Sequence, residues 1–412
     1  MSRTLEAVRA LRHRNYQLFF SGQFISLIGT WMQNLAQSWL VYRLTGSPVL
    51  LGLVGFVGQI PIFLLAPLGG VVADRWSRRR IVIGTQACAM TLALILAGIT
   101  LLGYVQVWHV LVLAALLGVV NAFDVPARQA FVVEMVGKED LPNAIALNSS
   151  LFNGARILGP AVAGVLVAAI GEGWCFFVNG VSYIAVIAGL LLMRLAPRPA
   201  IPKPGSMLVH MAEGFQFVWR TRPIRALLLL LGIVSLMGMP YAVLMPIFAD
   251  QILHSGARGL GFLMGATGVG ALCGAITLAM RRGGVHGLGR WIAYAAGAFG
   301  VCLILFSFSR WFWLSAALLA PVGFAFIVQM ASSNTLIQSM VPDRLRGRVM
   351  AVYSMMFIGM APLGALGSGI MASRLGAPAA VAIGGAVCIV SAALFGARLA
   401  SLRAEETGEG GL

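Results

Sequence analysis

Long apolar stretches alternate with short polar segments along almost the whole chain. A helix needs about 20 apolar residues to cross a bilayer, and we predict twelve such spans. The first six lie near residues 17–42, 48–72, 81–102, 106–123, 145–170 and 174–195. The second six lie near residues 225–249, 259–280, 291–308, 311–331, 348–372 and 378–398. The pattern predicts an all-α integral membrane protein.

One polar connection is much longer than the others, and four prolines lie near its start. It divides the chain close to its midpoint, and short sequence echoes cross that midpoint. Ile25–Gly29 resembles Val234–Gly238, and Glu139–Pro160 resembles Asp343–Pro362. We therefore predict two pseudo-symmetric six-helix bundles. The predicted parts are an N-terminal bundle at 1–195, a cytoplasmic linker at 196–222, a C-terminal bundle at 223–398 and a cytoplasmic tail at 399–412.

The composition agrees with a membrane protein, because 59% of the 412 residues are hydrophobic and only 10% are charged. The net charge of +16 does not indicate nucleic acid, since the basic residues recur in every second loop instead of gathering on one soluble face. Basic loops mark the cytoplasmic side of a membrane protein. We therefore expect a multi-pass protein of a bacterial inner or plasma membrane with both termini in the cytoplasm. Residues 1–15 are polar and basic, so the first span is expected to act as its own insertion signal.

The sequence offers little for catalysis, metal binding or nucleotide binding. The five cysteines include no close pair, and the five histidines are scattered. No Gly-x4-Gly-Lys motif for ATP occurs. We expect no cofactor, no metal and no enzymatic activity. An integral-membrane enzyme would need intramembrane clusters of His, Ser or acids, and a sensor or scaffold would usually carry a soluble domain.

The most charged turn follows the second span and reads Gly70-Val-Val-Ala-Asp74-Arg75-Trp76-Ser77-Arg78-Arg79-Arg80. Five charges in seven residues belong outside the hydrocarbon. A positive-inside anchor would explain the arginines, but it would need neither Asp74 nor Gly70.

This turn resembles the signature Gly-x3-Asp-Arg-x-Gly-Arg-Arg-Arg of the major facilitator superfamily, with Ser77 in place of the second Gly. The run from Asn121 to Ala130 resembles the branch that contains macrolide exporters and the enterobactin exporter. The resemblance implies a cytoplasmic gate in which Arg78 holds Asp74 and Asp124. Asp74 would then dock at the start of predicted span 11, next to Arg346. The alternative for Asp124 is a loop cap, in the turn that we expect after span 4. The residues that we assign to this gate are Gly70, Asp74, Arg75, Arg78, Arg79, Asp124 and Arg346.

Predicted span 5 carries a second motif, in which Ala155, Gly159 and Ala163 form a stripe of small residues. Glycines of predicted span 8 offer a matching surface. The motif, with Arg156, Gly159, Pro160 and Gly164, resembles the superfamily's antiporter motif, although two of its glycines are alanines. The alternative is generic packing of small residues. Arg156 lies near the middle of the span, where it serves either substrate and coupling chemistry or a hydrogen bond between helices.

Facing helices 1, 4, 7 and 10 would line a central cavity. The candidate lining residues that we single out are Trp31, Gln33, Asn34, Gln37, Met237, Tyr241 and Gln329. Aromatic, Met and amide side chains suit an amphipathic organic substrate, and simple packing is the alternative.

We predict a secondary transporter that exports a small amphipathic organic compound, such as a drug or a siderophore, by alternating access. An importer or facilitator of a metabolite is the alternative. The expected partners are the small-molecule substrate, the lipid bilayer and protons as coupling ion, with the protein as a monomer. The sequence itself weakens proton coupling, because the first span lacks a carboxylate and the other acids lie near predicted span ends or in loops.

Overall fold

The computed structural model describes residues 9–137, 139–194, 207–281, 285 and 287–406. After a short 3-10 helix at Arg9–Arg12, the first six helices are α1 Arg14–Thr45, α2 Pro48–Arg75, α3 Arg78–Leu101, α4 Val107–Val136, α5 Leu141–Ile170 and α6 Glu172–Leu192. The remaining helices are α7 Met207–Arg220, α8 Arg222–Ile252, α9 Gly256–Met280, α10 Leu288–Phe308, α11 Phe312–Met340, α12 Asp343–Ile358, α13 Met360–Leu375 and α14 Ala377–Glu406. Across these ranges the structure contains no strand.

Eleven helices in the described ranges are long and apolar enough to cross a membrane. They are α2 to α6, α8 to α11, the α12–α13 segment from Arg344 to Leu375, and α14. Helix α1 has 32 residues but is not among them. It carries several amides, including Gln23, Gln33, Asn34 and Gln37, which lower its apolar character. The prediction of an all-helical, multi-pass membrane protein is confirmed.

Two predicted spans are less regular than expected. Helix α8 contains two π-helical segments, Val234–Gly238 and Phe248–Ile252. The span predicted at 348–372 is two helices, α12 and α13, which meet at Gly359. A π-helical turn is rare in α-helices and frequently occurs at functional sites.

Residues 196–206 of the predicted linker lie outside the described residues, as do residues 1–8 and 407–412 of the two tails. The last part of the linker is helical and forms α7, which ends at Arg220. The predicted bundle limits stay a prediction.

The span predicted at 106–123 was ended too early. Helix α4 continues to Val136, so Asp124, Pro126 and Arg128 lie inside a helix and not in a turn. The sequence suggested a stop because a charge and a proline follow an apolar run. The helix continues because Asp124 finds a partner on the next turn, Arg128, at 3.1 Å.

The chain forms two compact units. The first comprises Met1–Gly46, Val57–Lys203 and Gly256–Gly265, and the second comprises Ser47–Phe56, Pro204–Ser255 and Ala266–Leu412. In the first unit, an apolar cluster with Tyr16, Phe131 and Leu190 joins α1, α4 and α6. In the second unit, ring contacts from Phe299 to Phe326 and from Phe248 to Phe306 join α10 to α11 and to α8.

Glycine allows backbone contact between α2 and α4 in the first unit. A methyl group on Gly69 would overlap the carbonyl oxygen of Ala122, and one on Gly118 would lie 2.5 Å from the carbonyl oxygen of Gly58. Small residues at such positions let membrane helices approach closely. Gly70, which the sequence motif singled out, has open space where a Cβ would stand.

We therefore predict different effects for two neighbouring substitutions. Gly69→Ala forces α2 away from α4 and should lower the free energy of unfolding by about 1–3 kcal/mol, the usual cost of overpacking. Gly70→Ala is the matched control and should keep or slightly raise stability, because alanine favours the helix and meets no neighbour. Denaturant titration in detergent micelles, followed by helical circular dichroism, measures both. Equal stabilities of the two variants would contradict the close contact at Gly69.

Candidate functional site

The charged turn lies between α2, which ends at Arg75, and α3, which begins at Arg78. The Asp74 side chain is 54% exposed, and its Oδ1 lies 3.8 Å from Arg78 Nη2. Arg78 is held more firmly by α4, because its Nη1 is 2.8 Å from Glu134 Oε1 and donates to the Ala130 carbonyl at 3.2 Å. An exposed ion pair of 3.8 Å contributes little, so Asp74 is only loosely held.

Arg79 joins the start of α3 to the end of α6. Its Nε donates to the carbonyl of Leu190 at 2.8 Å, and its Nη2 donates to the carbonyl of Leu191 at 2.9 Å. The last carbonyls of a helix lack partners within the helix and carry partial negative charge, so a guanidinium is well suited to cap them. Arg75 and Arg80 are exposed.

The predicted contact between Asp124 and Arg78 is wrong. Asp124 is 2% exposed and binds Thr85, Gln86 and Arg128, whereas Arg78 pairs with Glu134. The two carboxylates of α4 are ten positions apart, and the one nearer the turn is Glu134. The predicted three-residue group is therefore two separate groups.

The group around Asp124 joins three helices of the first unit. Asp124 Oδ1 accepts hydrogen bonds from Thr85 Oγ1 at 2.8 Å and from Gln86 Nε2 at 2.9 Å, both on α3. Its Oδ2 lies 3.1 Å from Arg128 Nη2. Arg128 Nη1 in turn donates to Gln23 Oε1 on α1 at 2.9 Å. A buried charge is tolerated when it is paired and hydrogen-bonded in this way.

The small residues of α5 contact two different helices. A Cβ on Gly159 would overlap the Cβ of Trp31 on α1, and one on Gly164 would lie 2.9 Å from the Ala257 carbonyl and the Gly261 Cα on α9. Gly261 of α9 thus contacts Gly164, the neighbour of the predicted stripe, whereas the stripe residue Gly159 faces α1. Pro160 is buried inside the continuous helix α5, and Arg156 on the same helix is half-buried.

The predicted cavity residues of α1 have different environments. Gln33 is buried and accepts a hydrogen bond of 2.6 Å from Asn179 Nδ2 on α6, so its amide serves packing inside the first unit. Trp31 is half-buried and meets Phe152 of α5 edge-on, with 5.5 Å between the ring centroids. Asn34 is exposed and Gln37 is half-buried.

The predicted cavity residues of the second unit also differ. Met237, within a π-helical segment of α8, and Tyr241 are half-buried. Gln329 on α11 is fully buried, and neither its Oε1 nor its Nε2 has a hydrogen-bond partner among the described residues. Ser332 and Ser333, one turn further along α11, are likewise buried with unpartnered hydroxyls within that part of the chain.

Arg346 lies exposed in the first turn of α12. Its near neighbour Arg348 forms an ion pair with Glu213 of α7. This pair joins the helical end of the predicted linker to the start of α12 within the second unit.

Sequence reasoning missed several charged and polar partners. Arg128 lies four positions after Asp124, at helical spacing, and Glu134 lies ten positions after it on the same helix, but the expected turn hid both relations. Nothing in the sequence pointed to the pair between Arg43 of α1 and Glu172 of α6, whose shorter contact is 2.7 Å. These residues are 129 positions apart.

Comparisons with known proteins agree on one class of protein. The family model for transmembrane secretion effectors matches residues 6–408. The staphyloferrin A transporter of Staphylococcus aureus is 24% identical over 396 residues, which are 95% of this chain and 98% of that protein. The multidrug efflux pump Tap of Mycolicibacterium fortuitum is 27% identical over 360 residues, covering 83% and 85% of the two chains. The enterobactin exporter EntS of Escherichia coli is 26% identical over 367 residues, 86% of each chain.

A solved structure shares the fold. The nucleoside transporter NupG superposes with a TM-score of 0.74 at 14% identity, covering 94% of this chain and 98% of that one. At this identity the likeness concerns the fold and not the substrate.

The arginine pair at the start of α3 allows a matched test. Arg79→Ala removes two hydrogen bonds to the end of α6 and should lower the free energy of unfolding by about 1–2 kcal/mol. Arg80→Ala removes the same charge from the same loop and should change stability by less than about 0.5 kcal/mol. Denaturant titration of the purified variants in micelles compares them. A larger loss in Arg80→Ala would show that loop charge, and not the cap on α6, sets the stability.

Proposed function

The chain belongs to the transmembrane secretion effectors, a family of the major facilitator superfamily, and from this membership we propose that it exports a small amphipathic organic compound by alternating access. It is a multi-pass membrane transporter of small molecules and not an enzyme. The observation that carries the proposal is the similarity over most of the chain to an efflux pump and a siderophore exporter.

The proposed architecture has twelve spans in two six-helix bundles, with α1 as the twelfth span beside the eleven apolar helices. Two of its amides bond within the first unit, Gln33 with Asn179 and Gln23 with Arg128. The distribution of Lys and Arg supports a bacterial cell-membrane protein with both termini and the linker in the cytoplasm. The protein acts as a monomer in this proposal.

The proposed cytoplasmic gate uses the exposed carboxylate of Asp74. Arg78 and Arg79 fix the first turn of α3 to α4 and α6, while the Asp74 carboxylate is loosely held and faces water. A carboxylate in this position can dock at the positive N-terminus of a helix. We assign that role to the first turn of α12, next to Arg346, when the cytoplasmic side is closed. The contact then stabilises the outward-open state.

The proposed substrate site is lined by residues that keep accessible surface, namely Trp31, Asn34, Gln37, Met237 and Tyr241. Their aromatic, thioether and amide groups suit a compound with an apolar body and a few polar groups. The π-helical segment that contains Met237 is consistent with a functional site. The names of the relatives favour a drug or a siderophore, and proton exchange drives the export in this proposal.

Transport into inverted vesicles tests both direction and coupling. Ethidium, erythromycin and enterobactin serve as probes, each measured with and without an imposed proton gradient. Export predicts uptake of at least one probe into inverted vesicles, abolished when the gradient is collapsed. Uptake of the probes into right-side-out vesicles would favour import. Flux that ignores the gradient would rule out antiport.

Removing the charge of Asp74, at the end of α2, tests the proposed gate. Asp74→Asn keeps the size of the side chain and should leave folding intact, but it should lower the initial rate of transport at least tenfold, because a neutral amide docks poorly at a helix N-terminus. Glu139→Gln is the control, since Glu139 is also an exposed loop carboxylate with a weak arginine contact of 3.5 Å. Normal transport by well-expressed Asp74→Asn protein would exclude the gate role.

A further inference from the structure

Asp124 is a carboxylate inside a membrane helix. It lies seventeen residues after Val107, the first residue of α4, and the stretch between them carries no charge. At 1.5 Å per residue this is about 26 Å along the helix, near the far edge of a hydrocarbon core of about 30 Å. Ionisable residues within membrane helices are rare and often serve a function. Asp124 is also almost completely buried inside the first unit.

The contacts of Asp124 divide between its two oxygens. Neutral donors, Thr85 and Gln86, bind Oδ1, and the guanidinium of Arg128 lies 3.1 Å from Oδ2. A proton on Oδ2 would therefore break the ion pair while leaving the hydrogen bonds on Oδ1 in place. A sodium ion at Oδ2 would instead face the Arg128 guanidinium at contact distance. The geometry favours a proton over a metal cation.

Two polar atoms beside the ion pair have no partner among the residues that the structure describes. They are the donor Gln23 Nε2 and the acceptor Gln86 Oε1, and both side chains are more than nine-tenths buried. Gln23 already binds Arg128 and Gln86 already binds Asp124 through their other amide atoms. Buried polar atoms without partners are rare, and packing alone does not account for them.

Few charged or titratable groups face this site from the helices around it. Helix α1 contributes Gln23, α3 contributes Thr85 and Gln86, and α4 itself contributes Arg128. Helix α6 contributes the buried phenol of Tyr183, which lies near Asp124, Arg128, Thr30 and Asn179. Protonation of Asp124 therefore leaves Arg128 as the fixed charge of the site.

Helix α11, in the second half of the chain, shows that a long membrane helix can form without a buried ion pair. Gln329 lies seventeen residues after Phe312, the first residue of α11, just as Asp124 lies seventeen after Val107. Ser333 follows Gln329 by four positions, as Arg128 follows Asp124. The corresponding helix of the second half thus carries a neutral pair. Packing alone does not explain why the first half keeps two charges.

We propose that Asp124 is the proton-binding carboxylate of this transporter, with Arg128 as the counter-charge that protonation releases. The proton enters from water, binds Oδ2 and leaves from the same atom, so no other reactant is needed. The Arg128 guanidinium then keeps its hydrogen bond to Gln23 and loses its ion pair with Asp124. The polar contacts of α4 with α1 and α3 then differ between the two protonation states of Asp124. This inference rests on the proposed proton-coupled export.

Infrared difference spectroscopy tests proton binding without any substrate. Wild-type protein in lipid should show the high-frequency carbonyl band of a buried carboxylic acid when the sample is acidified. Asp124→Asn should lack that band. Glu172→Gln is the matched control, because Glu172 is also buried and paired with an arginine, and it should keep the band. An unchanged band in Asp124→Asn would overturn the proposal.

Ethidium transport in vesicles tests coupling. The double variant Asp124→Asn/Arg128→Gln avoids a buried unpaired arginine and should fold. It should lose at least tenfold in ethidium accumulation driven by a proton gradient, whereas the control Glu172→Gln should accumulate ethidium within about twofold of wild type. Gradient-driven accumulation that survives in this variant would overturn the proposal. So would an equal loss in folded Glu172→Gln protein, because that result assigns the effect to the loss of any buried ion pair.

The infrared and transport experiments together distinguish the failure of the proposed export from the failure of the proton site at Asp124. If the wild type moves none of the probes but shows the Asp124-dependent band, the proposed export fails while the proton site stands. If the wild type exports ethidium and the band does not depend on Asp124, the export stands and the assignment of Asp124 fails.

Discussion

Pairing of charges that are removed from water is the constraint on which the first unit depends. A charge buried in a low-dielectric interior is tolerated only when an opposite charge and hydrogen bonds accompany it. Asp124 with Arg128 meets this condition within α4, Arg78 with Glu134 joins α3 to α4, and Arg43 with Glu172 joins α1 to α6. Together with the Arg79 cap on α6, these pairs fix four helices at defined positions. Asp74 is the carboxylate near this network that stays exposed and weakly held. In the charged turn, Arg78 and Arg79 are thus held in place, whereas Asp74 is held only weakly.

Close packing, and not the hydrophobic effect, holds helices together within a membrane. Lipid tails are as apolar as leucine, so helices associate through contact and not through exclusion from water. Gly69 and Gly118 bring α2 to α4, while Gly159 and Gly164 bring α5 to α1 and to the start of α9. Gly159 and Gly164, which belong to the antiporter-like motif, therefore act as contact surfaces in this structure. A small residue can serve both purposes, since a surface that fits closely also allows one helix to slide or tilt against another.

Most of the fold could be predicted from the sequence, because a helix that crosses a membrane needs a long apolar run whatever its neighbours are. The site was predicted only in part. The end of α4 was misplaced since a window of hydropathy counts Asp124 and Arg128 as two charges, whereas in the helix they neutralise each other. The partner of Arg78 was missed for the same reason. The pair between Arg43 and Glu172, and the burial of Gln33 against Asn179, depend on contacts between distant parts of the chain that no local pattern records.

The difference between Asp124 with Arg128 and Gln329 with Ser333 has an evolutionary consequence. If the two halves descend from one duplicated ancestor, one half gained the ion pair or the other lost it. Removing one partner of a buried pair costs about 3–5 kcal/mol, a large part of the stability of a typical protein. Each single step along that route leaves one buried charge without its partner. The two residues are therefore expected to change together or not at all.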